Sequence, residues 1–276
     1  MRLFFIFCYV FIPLLIASGQ FIDFEDAVSA GMAGAGISAG GHYVGAGNPA
    51  SLVTCRNLAI GIHYYNRFML IELDEQSLDF IYPAGKGSFA GGIGYFGTKE
   101  LNRSRFRFSY GHKFSPWLYA GIDLNYHHLF IQSFRENRSA ITGNLGIIVM
   151  PVSGLLLGCY YININPNGYH FQTLELTATA LRWGISYTSN DKNQIAADFC
   201  WTNFQALELA LGTEIFLTEN LVIRGGIRIP AHASYSFGMG ILLTRIQFNV
   251  GFSHHVILGL SSTFSLTLPF YANGKE

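Results

Sequence analysis

The sequence predicts an all-β fold, a 14-stranded antiparallel transmembrane barrel, and three observations support this prediction. Half of the 276 residues are hydrophobic and 15% are aromatic, whereas only 12% are charged. Hydrophobic residues alternate with polar residues or glycine in many short segments, so that each segment has one apolar face. Short and longer connections alternate between the segments, which is typical of successive hairpins in a membrane barrel.

The charge balance argues against several other classes of protein. The 17 Lys and Arg residues equal the 17 Asp and Glu residues, so the formal net charge is zero. Nucleic-acid binding is not expected, because no basic excess is available to neutralise phosphates. Disorder is not expected either, since it requires low hydrophobicity together with a high net charge. The composition also argues against a coiled coil, which would be rich in Ala, Glu, Lys and Leu.

Residues 1–19 have the features of a secretory signal peptide. Arg2 supplies a positive charge, and the stretch from Leu3 to Ile16 is hydrophobic. Ala17 and Gly19 place small residues before a cleavage site at Gln20. An uncleaved N-terminal anchor is the alternative, but the hydrophobic run is short for a membrane span. No Cys follows the site, so lipid attachment is not expected.

Residues 20–56 differ in composition from the rest of the chain. Small residues dominate between Ala30 and Leu52, so this stretch can thread a confined space and approach other backbone closely. Gly34, Gly36 and Gly40 are also compatible with a nucleotide-binding loop. However, no strand precedes them, and their spacing differs from that of a G-x-G-x-x-G motif.

The alternation predicts fourteen strands between residues 57 and 270, followed by a short tail at 271–276. The predicted strands are 57–66, 69–82, 88–97, 103–112, 116–130, 138–150, 154–164, 174–188, 193–203, 206–217, 220–229, 233–243, 245–253 and 257–270. After the signal peptide, no run of eighteen apolar residues is free of charges and turn residues, so transmembrane helices are not expected.

The alternation also predicts which side chains face lipid. Within 207–216, Leu209 lies on an apolar face, whereas Ala210 lies on the opposite face beside Glu208 and Glu214. We expect Leu209 to meet lipid and Ala210 to meet luminal water. The polar faces carry Gly, Ser, Asn and scattered Arg but few Lys, which fits a confined lumen better than the wet face of a soluble sandwich. In lipid only helices and closed sheets satisfy the backbone, so the strands must close into a barrel.

The connections predict the orientation of the barrel. Short turns follow the even-numbered strands, and the longest connections, 132–138 and 165–173, follow odd-numbered strands. Outer-membrane barrels have short periplasmic turns and longer outer loops, so an even strand count places both termini in the periplasm. Three late loops, near Phe204, Ala231 and His254, are short and fit this rule less well.

Histidine, serine and cysteine residues offer little support for catalysis or metal binding. In each of the pairs His127-His128 and His254-His255, the two side chains face opposite sides of a strand, so they cannot bind the same metal ion. A lipid hydrolase at the rim would pair a histidine with a serine, and the candidate serines are Ser253, Ser261 and Ser262. Their spacing is not that of a catalytic set with an orienting group. No catalytic, cofactor-binding or metal-binding residue is therefore predicted.

Three cysteines follow the signal peptide, at positions 55, 159 and 200. Their odd number and wide spacing match neither a disulfide framework nor a metal site, so we interpret them as small apolar strand residues.

The inward faces carry charges that must pair if they are buried. The predicted luminal charges are Arg105, Arg107, Asp123, Arg182, Asp198, Glu208, Glu214, Arg224 and Arg228, with Arg245 as a further candidate. Two interpretations remain open. The network either fills and stiffens the barrel, or it forms a polar constriction or a latch on the N-terminal segment.

The N-terminal segment resembles that of FadL-like outer-membrane proteins. Gly31, Gly34 and Gly36 lie in a Gly-Met-Ala-Gly-Ala-Gly run, and Asn48-Pro49-Ala50 precedes the first strand. Other pieces are similar to the PorV/PorQ branch of Bacteroidetes. These are Asn66-Arg67-Phe68 with Glu72-Leu73, Ser88 to Gly92, Leu181 to Tyr187, Ile223 to Ile227, and His254 to Ser261.

The resemblance implies a 14-stranded outer-membrane barrel with an N-terminal luminal hatch. For PorV/PorQ proteins it also implies a role in type IX secretion, whereas FadL-type proteins pass hydrophobic small molecules. We therefore predict a non-enzymatic secretion or transport protein, with the passive conduit as the alternative and the rim hydrolase as a second one. The expected partners are outer-membrane lipid and either secretion components or apolar small molecules. A periplasmic segment that recruits a partner is the alternative to the hatch.

Overall fold

The computed structural model describes residues 26–39, 47–134, 136–164, 179–189, 192–202, 205–229 and 233–271. The predicted signal peptide at 1–19, parts of the predicted hatch at 20–25 and 40–46, and the tail at 272–276 lie outside the described residues.

Fourteen antiparallel strands form one closed barrel, as the alternation predicts. The strands are β1 (Leu58–Asn66), β2 (Asp74–Ala84), β3 (Gly87–Gly97), β4 (Leu101–Ser115), β5 (Leu118–Ile131), β6 (Glu136–Val152), β7 (Leu155–Ile162), β8 (Ala180–Ser189), β9 (Asn193–Thr202), β10 (Gln205–Phe216), β11 (Leu221–Ile229), β12 (Ser234–Leu242), β13 (Gln247–His255) and β14 (Gly259–Phe270). Each strand pairs with its sequence neighbours, and β1 pairs with β14, so no edge remains unpaired.

The strand faces have the predicted register. On β4, Phe106 and Phe108 are about half exposed on the outside, whereas Arg105 and Arg107, which alternate with them, are buried in the lumen. The same alternation on β10 exposes Leu211 and buries Glu214. An apolar outer face around a polar, buried interior is the arrangement of a membrane barrel rather than of a soluble one.

The largest boundary error among the described residues is at the start of β2, and one predicted luminal charge, Arg245, is misplaced. The apolar run that begins at Met69 predicts a strand there, but β2 begins at Asp74, because two 3₁₀ turns, Arg67–Met69 and Ile71–Leu73, precede it. Arg245 does not lie on the luminal face of β13, since it is exposed in the turn before that strand. The predicted start of β8 at 174 lies outside the described residues.

The two ends of the barrel differ in their connections. At the end where the even-numbered strands finish, no connection is longer than four residues, and we call this the turn end. At the opposite end, which we call the loop end, the β1–β2 and β7–β8 connections have seven residues or more, whereas the other five have two to four. The connection predicted to be long at 132–138 is one of these short ones, because β6 already begins at Glu136. The first and last strands begin and finish at the turn end.

The wall of the barrel is uneven in height. Strands β1, β11, β12 and β13 have nine residues each, whereas β4, β5 and β6 have 15, 14 and 17. At about 3.3 Å per residue and a tilt of about 45°, nine residues rise roughly 20 Å and fifteen rise roughly 35 Å. We call β11–β14 with β1 the low wall and β4–β6 the high wall, and the strand registers place the difference mainly at the loop end.

The described part of the N-terminal segment, residues 26–39 and 47–56, lies inside the barrel, and we call it the inner segment. Its helix α1 (Ala27–Gly31) packs against β11–β14, and its 3₁₀ turn Pro49–Thr54 packs against β2–β6. Within the described ranges, no helix is long enough and apolar enough to cross a membrane.

Candidate functional site: the filled lumen

A belt of glycines brings the wall into direct contact with the inner segment. Nine strands, β4–β8 and β10–β13, each contribute one luminal glycine to this glycine belt. Its members are Gly111, Gly121, Gly146, Gly158, Gly184, Gly212, Gly226, Gly238 and Gly251. On β9 the corresponding small residue is Ala196, which pairs with Gly212.

The glycine belt leaves no room for a side chain. A Cβ atom at Gly121 would lie 2.5 Å from the carbonyl carbon of Pro49, and one at Gly226 would lie 2.5 Å from that of Met32. Both neighbours are backbone atoms, which cannot swing aside as a side chain can. Glycine is therefore required at these positions for the inner segment to lie against the wall.

One end of α1 is capped and attached to the wall. Asp26 caps the helix by accepting a hydrogen bond from the Ser29 amide at 2.7 Å. The amide of Ala27, which the helix itself leaves without a partner, donates to Ser265 Oγ at 2.9 Å. The start of the helix is thereby bound to β14.

The chain that leaves α1 is attached to β8, β9 and β11. Asp198 Oδ2 accepts hydrogen bonds from the amides of Gly36 and Ile37, both at 2.8 Å. Arg182 donates to the Gly34 carbonyl at 2.6 Å and also pairs with Asp198 at 3.3 Å. Arg228 Nε donates to the carbonyl of Ala33 at 2.9 Å. We call Arg182, Asp198 and Arg228 the first anchor, since all three bind backbone of the inner segment.

The Asn-Pro-Ala motif forms a second anchor at β6 and β7. The side-chain amide of Asn48 donates to the carbonyls of Ile147 and Cys159, each at 3.2 Å. Its Oδ1 accepts from the amide of Ala50, and Pro49 occupies the first position of the 3₁₀ turn. One side chain therefore caps the turn and joins it to two strands of the wall.

Two of the predicted luminal charges form a pair away from the first anchor. Arg224 Nε lies 2.6 Å from Glu214 Oε2, both side chains are fully buried, and Arg224 also donates to Asn249 at 2.9 Å. This pair joins β10, β11 and β13. It fits the interpretation of a network that fills and stiffens the lumen, whereas the first anchor fits that of a latch.

The remaining predicted charges have other surroundings. Asp123 accepts a hydrogen bond from Tyr160 Oη at 2.9 Å and one from Asn144 at 3.4 Å. Glu208 is buried opposite Cys200, and Arg105 is buried on β4.

Sequence reasoning missed three luminal residues on β1 and β2. Asp79 pairs with Arg107 at 2.8 Å, and Glu75 pairs with Arg67 at 2.6 Å. His63 lies on the neighbouring strand with its Nε2 atom 3.8 Å from Asp79. Asp79 lies between the outward residues Leu78 and Phe80, and this alternation is the signal that identified the other luminal charges, so it could have found Asp79. Glu75 lies between Asp74 and Gln76 and gives no such signal on its own.

Ser265, His63 and Asp79 have the residue types of a hydrolase triad. Ser265 Oγ lies 2.7 Å from His63 Nδ1, but the separation of 3.8 Å between His63 and Asp79 is too long for a hydrogen bond. Ser265 also accepts the Ala27 amide, and Asp79 is already paired with Arg107. All three residues are buried, and Ser265 binds the start of α1, so this serine holds the helix.

The rim candidates for hydrolysis do not form such a set. Ser253 and His254 are neighbours on β13 and face opposite sides of the wall. His255 Nδ1 accepts the amides of Ile257 and Leu258, and Ser261 Oγ accepts the amide of Phe68. His255 and Ser261 therefore hold the loops in place.

The other candidate chemistries find little support in the geometry. In the part of the chain that the structure describes, no three His, Cys, Asp or Glu side chains are close enough to share a metal ion. The cysteines at positions 55, 159 and 200 form no disulfide bond with one another.

No protein-family model and no curated protein matches the sequence. Solved structures do match in shape. The P. putida toluene transporter TodX is 13% identical and has a TM-score of 0.65, covering 91% of this chain and 100% of that one. The Ralstonia pickettii toluene transporter TbuX is 12% identical, with a TM-score of 0.64 over 91% of this chain and 100% of that one. A Pseudomonas aeruginosa FadL homologue is 12% identical, with a TM-score of 0.63 over 92% and 99%.

The chain has the fold of these proteins. The FadL-like barrel predicted from the N-terminal segment is therefore confirmed at the level of fold, which is what identities of 12–13% can show. Assignment to the PorV/PorQ branch stays a prediction, because the similar structures are FadL-like and none is described as a PorV or PorQ protein.

Proposed function

We propose that this FadL-like barrel lies in the outer membrane and passes apolar small molecules through a lumen that the inner segment closes at rest. The fit between the inner segment and the glycine belt supports a hatch, because the wall leaves space for backbone at each of those positions. The apolar outer face and the signal-like first 19 residues support the location. Two proteins of the same fold are described as toluene transporters, which supports an apolar cargo.

The attachments of the inner segment favour a hatch over a periplasmic recruiting arm. The second anchor consists of hydrogen bonds, and the first anchor adds the ion pair of Arg182 with Asp198. Such contacts can break and re-form without damage to the barrel. The belt glycines would have no function at these positions if the segment extended away from the lumen.

Deletion of residues 24–45 tests the proposal directly. We expect the shortened protein to form a barrel and to conduct ions in planar bilayers far better than the intact chain, because the deletion removes α1 and the first anchor's ligands. Heat-modifiable migration on gels serves as the control for barrel formation. Unchanged conductance in a correctly folded barrel would contradict the hatch.

A PorV/PorQ-type role in secretion is the second candidate. The sequence pieces similar to that branch support it, and so does the attachment of the inner segment at two anchors, which suits a permanently filled barrel that serves as a docking platform. The readout that separates the two functions is co-purification from the native outer membrane. Capture of secretion components, together with no uptake of apolar molecules by reconstituted vesicles, would favour the platform.

A non-enzymatic role remains a prediction. Ser265 is the residue to test, because its hydroxyl contacts His63 as a serine nucleophile contacts its histidine in a hydrolase. We expect neither the intact protein nor the Ser265→Ala variant to release fatty acid from phospholipid vesicles. Hydrolysis by the intact protein alone would contradict this expectation.

A further inference from the structure

Six apolar side chains project from two neighbouring connections at the loop end of the low wall. They belong to the β1–β2 and β13–β14 connections, which adjoin because β1 pairs with β14. Ile71 is 72% exposed and Ile257 is 84% exposed, and the other four are about half exposed. We call the set the apolar lip, and its members are Met69, Leu70, Ile71, Val256, Ile257 and Leu258.

The apolar lip is held outward by its own backbone. Phe68 and Met69 both adopt left-handed conformations, with φ of 53° and 56°, which cost roughly 1–2 kcal/mol per residue for side chains of this kind. The Phe68 amide donates to Ser261 Oγ at 2.9 Å, and its ring packs edge-on against His255 at 6.1 Å. These contacts hold Phe68, and with it the β1–β2 half of the lip, against β13 and β14. In the other half, the amides of Ile257 and Leu258 donate to His255 Nδ1, both at 3.1 Å.

The height of the low wall places the lip at the level of lipid. A strand that crosses a membrane at this tilt needs about 9–11 residues, so nine residues are the lower limit. The apolar band of such barrels is about 25 Å tall. Strands β1 and β13 have nine residues each and rise roughly 20 Å, so the connections above them begin inside that band. Strand β14 has 12 residues, but its register with β13 places residues 268–270 beyond β13 at the turn end, so its upper end is level with that of β13. The lip is continuous with the outward apolar residues of the strands below it, such as Leu260 and Ile62.

The connections near and on the high wall have the opposite character. Thr98, Lys99 and Glu100 join β3 to β4, and Gln132 and Ser133 follow β5. Except for the half-buried Thr98, these polar side chains are exposed, as expected for loops that stand above the membrane. Composition therefore changes with wall height around the loop end.

We propose that the apolar lip is inserted among the acyl chains of the leaflet at the loop end. On the low side the rim of the barrel then lies within the membrane, while on the high side it stands in water. Glu72, the exposed charge beside Ile71, then marks the headgroup level. This inference rests on the proposed membrane location, and it concerns the depth of one side of the rim.

Depth can be measured with an environment-sensitive fluorophore on single cysteines. Two lip variants, Ile257→Cys and Leu70→Cys, and one high-wall variant, Ser133→Cys, are made with the three native cysteines replaced by Ala. The fourth protein keeps only the native Cys159, which is exposed on the outside of β7 and serves as the reference for lipid contact. Each is labelled with NBD and reconstituted in phosphatidylcholine vesicles with or without doxyl-labelled lipid.

We expect the lip labels to lose most of their emission to doxyl lipid, as the Cys159 label does, while the Ser133 label keeps its emission. Lip labels that behave like the Ser133 label, with Cys159 still quenched, would overturn the proposal; a protein partner or a second copy would then be the occupant to seek. If the Cys159 label also escapes quenching, the membrane location itself is wrong and the lip proposal fails with it. If the labels at Ile257→Cys and Leu70→Cys are quenched to the same extent, the result does not come from a local disturbance by one of the two substitutions.

Discussion

At the scale of single residues, the function of the lumen depends on whether a position carries a side chain. Gly225 and Gly226 are neighbours on β11 and face opposite sides of the wall. A Cβ at Gly226 would meet the backbone of Met32 at 2.5 Å, whereas the nearest atom to a Cβ at Gly225 is 3.9 Å away. Replacement by Ala changes the backbone preference equally at the two positions, because both lie in the same strand. A difference between the two variants therefore reports contact with the inner segment.

We expect Gly226→Ala to displace the inner segment and Gly225→Ala to leave it in place. Overpacking of a filled interior costs about 1–3 kcal/mol, and the displaced backbone should become a protease site. Limited proteolysis followed by N-terminal sequencing provides the measurement. Equal cleavage of the two variants would show that the contact at Gly226 does not hold the segment.

Asp198 provides a second test, because its carboxylate holds two amides of the inner segment. Asp198→Asn keeps the shape but removes the charge, so we expect a loss of about 2 kcal/mol, the range of a hydrogen bond to a charged group, and release of the segment to protease. Asp123→Asn is the control, since the hydrogen bonds of Asp123 go to Tyr160 and Asn144 on the wall. Release in both variants would mean that the first anchor has no special role.

Leu209 and Ala210 test the two faces of β10, and here the structure corrects the expectation from sequence. Ala210 does not meet luminal water but packs with Met32 and Ala35 of the inner segment. Arg at 209 should cost roughly 2–4 kcal/mol and impair barrel assembly, because that position faces lipid. Arg at 210 should leave a heat-modifiable barrel but expel the segment. If only the 210 variant loses the barrel, then Ala210 faces lipid and Leu209 faces the lumen, opposite to the assigned register.

At the scale of elements, periodicity predicts strands well because lipid and lumen impose opposite demands on alternate residues. It fails at β2, where the apolar run from Phe68 to Ile71 has the composition of a strand. Two left-handed residues and contacts with β13 and β14 decide its conformation, and neither leaves a signal in the local sequence. The boundary is thus set by distant parts of the chain.

For the inner segment too, the local sequence predicts one part of the structure and distant parts of the chain determine the rest. Its small residues predict a confined environment, but its contact sites on the wall depend on the registers of all the strands. The pair of Arg224 with Glu214 follows from alternation on adjacent strands. The hydrogen bond from Asn48 to Ile147 and Cys159 joins residues about a hundred positions apart, so composition alone could not predict it.

At the scale of the whole molecule, closure of the barrel follows from the need to pair every strand edge in lipid, and the sequence therefore predicts it without any knowledge of the partner strands. The orientation of the barrel depends on the contrast between turns and loops. No connection at the turn end exceeds four residues, but five of the seven connections at the loop end are equally short. Orientation therefore needs a direct measurement.

Labelling of intact cells measures the orientation. Ser133 lies at the loop end and Glu219 at the turn end, and both are exposed. In a chain without native cysteines, we expect Ser133→Cys to react with a membrane-impermeant maleimide on intact cells, because the loop end should face outward. Glu219→Cys should react only after the outer membrane is permeabilised, since short turns and both termini should face the periplasm. If only Glu219→Cys reacts in intact cells, the barrel has the opposite orientation. The apolar lip would then lie in the inner leaflet of the outer membrane.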